Sequence, residues 1–188
     1  PLIYGTDGAK LSKRHGATGV GEYKNLGYLP DALFNYLLRM GWGHGDEEVI
    51  NRANAINWFK LNNVRQAPAR FDLMKLDNLN AHYLRAVPES ELLTKVIQRI
   101  KFKLERSISN TEQLRVSKGL EQLKKRAKTL QILAENATFY VEAPTFPLQN
   151  SKADNCLKNG AESNLLKVQK IFLQLQSWSA ESLENELR

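Results

Sequence analysis

Pro88-Glu89-Ser90-Glu91-Leu92-Leu93-Thr94-Lys95-Val96-Ile97-Gln98-Arg99-Ile100-Lys101-Phe102-Lys103-Leu104 decides the architecture of this chain. Leu92, Leu93, Val96, Ile97, Ile100 and Leu104 recur at three- and four-residue spacing, so they gather on one face of a helix that Pro88 opens. The other face carries Lys95, Arg99 and Lys103, and Arg106 continues that row. A half-buried strand would alternate every second residue, and this stretch does not.

The same periodicity extends toward the C-terminus. After a polar joint at Ser107 to Thr111, Leu114, Leu120, Leu123, Ala127, Leu130 and Leu133 form another helical array, with Gly119 expected as a kink and the Lys124-Lys125-Arg126 triplet on its polar surface. Ala143-Pro144-Thr145-Phe146-Pro147 reads as a loop because two prolines block regular pairing. Helices are expected to resume around Ser151 and after Ser163, with Leu166, Ile171, Phe172 and Leu175 inward. Trp178 before Ser179, with Leu183 four residues after that cap, fits a hydrophobic staple opening a last helix.

Toward the N-terminus, Asp72 is placed to cap a helix with Leu73, Leu76, Leu79 and Tyr83, after a break at Ala67-Pro68-Ala69. Asp46, followed by Glu47 and Glu48, is expected to cap a segment burying Ile50, Ala53, Ile56 and Phe59, with Trp58 in the same packing. Pro30 suits a first helical turn and Gly41 a stop, with Leu33, Phe34, Leu37 and Leu38 on one face between them. Only Leu2-Ile3-Tyr4 reads as strand. The fold class is therefore mainly α, with a short strand and loop at the N-terminal side.

At 188 residues and 42% hydrophobic content the chain is long enough for one large domain or two small ones. Its apolar runs are too short to span a membrane, and no basic-then-apolar leader begins it, so a cytoplasmic protein is expected. Cys156 is the sole cysteine, which excludes an internal disulfide, and His15, His44 and His82 lack the short spacing of a zinc site; no metal is expected. The net charge of +7 is concentrated: from Lys95 to Lys128 eleven lysines and arginines face three glutamates. A solvated helix surface mixes signs for i,i+4 support, so a one-sided run points to a polyanion, and nucleic acid is the first candidate.

Asp7-Gly8-Ala9-Lys10-Leu11-Ser12-Lys13-Arg14-His15-Gly16 adds a second chemical signal, two lysines and an arginine on a glycine-bounded loop suited to polyphosphate. Lys10-Leu11-Ser12-Lys13-Arg14 resembles the KMSKS signature of class I aminoacyl-tRNA synthetases, in the spelling of the glutamyl and glutaminyl branch, with Leu11 for the usual Met and Arg14 for the final Ser. Gly27-Tyr28-Leu29-Pro30-Asp31-Ala32-Leu33, Asn35-Tyr36-Leu37, Gly41-Trp42-Gly43, Phe71-Asp72-Leu73-Met74-Lys75-Leu76, Asn80 and Tyr83-Leu84-Arg85 resemble bacterial glutamyl-tRNA synthetases in order and spacing.

This resemblance implies residues 1–28 as the end of a catalytic domain, 29–87 as a helical stem-contact domain and 88–188 as a helical anticodon-binding domain. It implies that Lys13 and Lys10 act in catalysis on ATP carried with Mg2+, with Ser12 and Arg14 also at the nucleotide. Arg126, Lys125, Lys124, Arg99 and Lys103 are the implied tRNA and anticodon contacts, Arg126 leading. The implied partners are tRNA(Glu), with tRNA(Gln) as a further acceptor, and glutamate; the implied state is a monomer. The family's nucleotide-binding fold and its HIGH motif would precede Pro1 and its last small helical subdomain would follow Arg188, so the chain is expected to be a fragment, without bound cofactor and unable to aminoacylate alone. Two alternatives stay open: a glutaminyl-tRNA synthetase fragment, disfavoured because that family reads the anticodon with β-barrels, and a non-catalytic basic helical RNA-binding module.

Overall fold

The computed structural model describes residues 2–12, 19–143, 151–158 and 160–187. Strand β1 (Ile3–Tyr4) leads to helix α1 (Val20–Asn25), α2 (Pro30–Gly41) and α3 (Arg52–Trp58), then to strand β2 (Ala69–Arg70) and helices α4 (Leu73–Ala86), α5 (Glu89–Leu104), α6 (Asn110–Lys124) and α7 (Leu130–Ala137). The strands pair in parallel, Ile3 opposite Ala69 and Tyr4 opposite Arg70. The chain is mainly α, as its periodicity requires.

Two compact units divide the chain, Pro1–Glu142 and Ala143–Arg188. In the larger one, Leu92, Val96, Ile97 and Ile100 are buried against Leu84, Val116, Leu120, Leu130 and Leu133. Each of these side chains contributes about 2 kcal/mol by leaving water. A second cluster joins Tyr23, Tyr28, Leu33, Tyr36 and Leu76, and a third joins Trp42, Ile50 and Ala55. In the smaller unit α8 (Ser151–Leu157), α9 (Ala161–Gln174) and α10 (Ala180–Leu187) follow one another; Trp178 packs on Phe172 with ring centres 5.1 Å apart, and the Ser179 hydroxyl accepts from the Ser182 amide at 3.1 Å.

Caps fix several boundaries. Asp72 Oδ1 accepts from the Met74 and Lys75 amides at 2.9 and 3.2 Å, which starts α4 where the sequence places it. Ser109 and Glu112 close a capping box on α6. The segment before α3 departs from expectation. Asn51, not Asp46, is its cap, accepting from the Asn54 amide at 2.8 Å, and this shifts the helical register so that Ala55 faces the core while Ile56 is 71% exposed.

The long array from Leu114 to Leu133 is two helices rather than one. Thr129 accepts from the Ile132 amide at 3.2 Å and opens α7 afresh, and Leu114 lies exposed. Gly119 neither kinks nor breaks α6; a Cβ there would run into the Tyr140 hydroxyl, so the glycine admits that ring against the helix. Lys124 is not on a polar surface. It is 8% exposed and its Nζ donates to the Val87 carbonyl at 3.0 Å, because the register that buries Leu120 also turns residue 124 inward.

Candidate nucleic-acid interface

The N-terminal loop begins as a tight reversal. Leu11 N donates to Ile3 O at 2.8 Å, Gly5 N to Ala9 O at 2.8 Å, and Gly8 sits at φ +79°, a left-handed turn that glycine takes without strain. Tyr4 and Lys10 form an antiparallel bridge, which leaves Lys10 exposed beside the β1–β2 pair with Ser12 two residues on. Lys13 and Arg14 lie outside the described residues.

Of the basic residues on the helical body, several are committed to the fold. Arg99 on α5 donates to the Lys24 carbonyl at 2.6 Å, the Asn25 carbonyl at 2.9 Å and Gln131 Oε1 at 2.7 Å. Its guanidinium thus closes the negative end of α1, and partial burial pulls its pKa below the usual arginine value. Arg106 pairs with Glu112 at 2.8 Å and donates to the Val141 carbonyl at 2.8 Å. That guanidinium, helped by the Ser109 amide and hydroxyl, lowers the Glu112 carboxyl to about 2. Lys95 pairs with Glu91 at 3.5 Å, and Lys128 with Asp77 at 3.7 Å.

Asp77 belongs to a wider seam. It accepts from the Tyr28 hydroxyl at 2.6 Å, and burial followed by this bond drives the Tyr28 pKa upward. Beside it buried Asn80 accepts from the Leu29 amide at 2.8 Å and donates to the Lys128 carbonyl at 2.6 Å. Leu130 N donates to Gly27 O at 2.9 Å, at a glycine whose Cβ would strike the Gln131 backbone. These bonds lock the segment after α1 to α4 and to the α6–α7 connection.

Within the basic segment from Lys95 to Lys128 the cations left available are Lys101 and Lys103 on α5, Arg115 and Lys118 on α6, and Lys125 and Arg126 beyond its end, all exposed. Lys125 Nζ reaches Gln122 Oε1 at 3.4 Å; the others make no side-chain hydrogen bond or ion pair among the described residues. Phe102, between the two α5 lysines, is 88% exposed. Its sequence signal is its place outside the apolar stripe, flanked by charge. Of the five body residues expected at RNA, the structure leaves Lys103, Lys125 and Arg126 open to solvent and ties Arg99 and Lys124 internally. The exposed cations and Phe102 can meet phosphates and a base face. Among the described residues no cluster of His, Cys, Asp or Glu could hold a metal, and no helix is long and apolar enough to cross a membrane.

Comparison with known proteins agrees in order along the chain. Glutamate–tRNA ligase 2 of Zymomonas mobilis subsp. mobilis is 48% identical over 188 residues, and glutamate–tRNA ligase 1 of Sphingopyxis alaskensis is 45% identical over 191. Both alignments take in 100% of this chain, which spans 39% of the length of each relative. A crystal structure of a glutamate tRNA ligase from Elizabethkingia meningosepticum shares the fold, with TM-score 0.76 at 24% identity over 99% of this chain and 40% of that one. Residues 1–78 match the family of class I tRNA synthetases (E and Q), catalytic domain, and residues 73–188, more than half of the chain, match the anticodon binding domain family. The chain therefore belongs to the anticodon binding domain family, carried behind a segment of class I tRNA synthetase catalytic domain.

Proposed function

We propose that the chain is the nucleotide-loop and tRNA-binding part of a glutamate–tRNA ligase, which activates glutamate with ATP and transfers it to tRNA(Glu). The observation that carries this reading is the tandem match, catalytic segment first and anticodon-binding segment second, on one continuous chain. Residues 1–28 serve as the end of the catalytic domain, 29–87 as the stem-contact domain and 88–188 as the anticodon-binding domain. The enzyme works in the cytoplasm as a monomer, with tRNA(Gln) a second acceptor to be tested.

In this reading Lys13 and Lys10 neutralise charge on the triphosphate as the glutamate carboxylate attacks the α-phosphate and pyrophosphate leaves, with Ser12 and Arg14 beside them. The exposed Lys10 and the close-turned backbone at Gly8 fit the phosphate side of ATP, which brings its own Mg2+. Arg126 and Lys125 approach the unpaired anticodon bases, Lys103 meets phosphate, and Phe102 offers a face on which a base can stack. Arg99 and Lys124 act by holding these elements in place.

Pyrophosphate exchange on the full-length enzyme tests the loop: Lys13→Ala slows glutamyl-adenylate formation about 100-fold, as loss of one transition-state donor does. A normal rate refutes the assignment. For the chain alone, titration of tRNAs with glutamate, glutamine and unrelated anticodons at several salt concentrations separates base reading from charge. Equal affinity for all of them removes the anticodon assignment.

A further inference from the structure

Lys10 of the nucleotide loop hangs on a very short sheet. It bridges Tyr4 in antiparallel fashion, and Leu11 N donates to Ile3 O at 2.8 Å, so β1 is the strand on which Lys10 rests. On its other side β1 pairs with β2: the Ala69 amide donates to the Leu2 carbonyl at 3.0 Å and the Phe71 amide to the Tyr4 carbonyl at 2.8 Å. Each of these strands is two residues long, and a pair of that size is marginal by itself in water. Its register has to be held from outside.

The hold comes from α2. The hydroxyl of buried Tyr36 accepts from the Asp72 amide at 2.7 Å and donates to the Asp72 carbonyl at 2.9 Å, directly after β2. Burial raises the Tyr36 pKa, so this hydroxyl keeps its proton and remains a donor. One residue earlier the Phe71 ring stands edge-on to the Tyr36 ring, centres 5.3 Å apart, and lies 6.3 Å from the ring of Tyr23 on α1. Asp72 also caps α4, so the corner between β2 and α4 is fixed through both backbone and side chain. An unbroken run of backbone and hydrogen bonds therefore leads from Tyr36 through Asp72, β2 and β1 to Lys10 and Leu11.

A strand that slips by one residue moves about 3.3 Å and turns its side chains to the other face. For Lys10 that displacement exceeds the reach of a hydrogen bond to phosphate, and a misplacement of about 1 Å can already cost about 100-fold in rate. Tyr28 supplies the contrast. It belongs to the same aromatic cluster, 5.5 Å from Tyr23, yet its hydroxyl bonds the Asp77 side chain at 2.6 Å rather than the β2 corner.

We propose that Tyr36 is a positioning residue for Lys10, holding the register of β1 on β2 through its two hydrogen bonds to the Asp72 backbone, with Phe71 as the packing half of the same hold. This role rests on the assignment of Lys10 to the triphosphate given above. Pyrophosphate exchange on the full-length enzyme, with tRNA present and rates corrected for folded fraction, compares wild type, Tyr36→Phe, Lys10→Ala and the double variant. Lys10→Ala lowers kcat/KM for ATP about 100-fold and Tyr36→Phe about tenfold, and neither moves KM for glutamate. The double variant is no slower than Lys10→Ala alone, because Tyr36 acts through that lysine. Phe71→Leu keeps the Tyr36 bonds and runs the same cycle independently, with about a threefold loss. Tyr28→Phe melts at a lower temperature but keeps wild-type kcat/KM for ATP.

Wild-type ATP kinetics in Tyr36→Phe and Phe71→Leu, or a double variant about tenfold below Lys10→Ala, overturn the positioning role. An equal ATP loss in Tyr28→Phe does so too, since it marks a loosened fold rather than a held register. Wild-type kinetics in Lys10→Ala beside a slowed Lys13→Ala overturn the role of Tyr36 while the ligase reading stands. No glutamate-dependent exchange by the wild-type enzyme overturns the ligase reading itself, and the positioning role with it.

Discussion

Replacing Asn80 by alanine tests the seam that joins α2, α4 and the α6–α7 connection. Asn80 is fully buried and both ends of its amide are used, Oδ1 by the Leu29 amide at 2.8 Å and Nδ2 by the Lys128 carbonyl at 2.6 Å. Alanine leaves one buried donor and one buried acceptor without partners. At about 1–3 kcal/mol for each orphaned group, and with a small cavity added, Asn80→Ala costs about 4 kcal/mol. Asn80→Asp keeps the acceptor toward Leu29 but turns a second oxygen toward the Lys128 carbonyl. Burial and that repulsion raise the new carboxyl's pKa, so this variant recovers stability as pH falls through it and loses stability as pH rises. Urea unfolding followed by tryptophan fluorescence gives the free energies. Hydrogen exchange gives the location: the Leu29 amide loses protection well beyond the Leu130 amide, which keeps its own bond to Gly27. A loss under 0.5 kcal/mol, or equal exchange at the two amides, would show that Asn80 does not hold the seam.

Glu112 gives an acid-side prediction. Its folded pKa, lowered from 4.5 to about 2, means its contribution is complete above 4.5 and fades as pH drops from there toward 2. Glu112→Gln flattens the unfolding midpoint across that window, and an unchanged acid limb would contradict the Arg106 pairing. Gly119→Ala forces Tyr140 off α6 and costs about 1–3 kcal/mol of overpacking, read by thermal melting; a neutral substitution would mean the ring does not seat there. Lys124→Met and Arg126→Gln separate fold from binding: the first lowers the melting temperature with a minor change in tRNA affinity, and the second does the reverse. A larger affinity loss in Lys124→Met at equal folded fraction would return Lys124 to the RNA surface.

Amphipathic spacing made the helices legible, because a stripe such as Leu92, Val96, Ile97 and Ile100 has only one geometry that buries it. Caps with a side-chain oxygen were also legible at Asp72. The segment at 46–59 was misread because two acids in a first turn looked like a helix start, while Asn51 supplied the actual cap five residues later. Thr129 broke a long apolar array for the same reason: one cap outweighs continuity of hydrophobic spacing. Asn35 and Asn80 were invisible as buried nodes. Asn35 accepts from the Ile50 amide at 2.6 Å and the Tyr83 hydroxyl at 2.8 Å, and both residues find partners far along the chain that no local pattern predicts.

The candidate site was legible in total charge and less so in its members. Eleven basic residues between 95 and 128 suggested one broad RNA surface, but charge counts do not say where a side chain's end is spent. Arg99 closes the carbonyl end of α1, Lys124 satisfies the Val87 carbonyl and Arg106 anchors the capping box. A cation bound to backbone carbonyls still adds to the long-range field, since no carboxylate cancels it, yet its charged end is turned into the fold and held there, with Lys124 only 8% exposed. In the proposed RNA-docking reading, Arg99 and Lys124 therefore attract RNA without touching it, whereas Lys101, Lys103 and Arg126 are placed to do both. This division gives the two sets different kinetics. Neutralising a carbonyl-bound cation slows association and leaves the dissociation rate of correctly folded protein nearly unchanged, while neutralising Arg126 speeds dissociation. Stopped-flow binding of tRNA to Arg99→Met and Arg126→Gln, each corrected for folded fraction, reads both rates. Faster dissociation from Arg99→Met than from Arg126→Gln would mean that the guanidinium leaves α1 and meets the RNA itself.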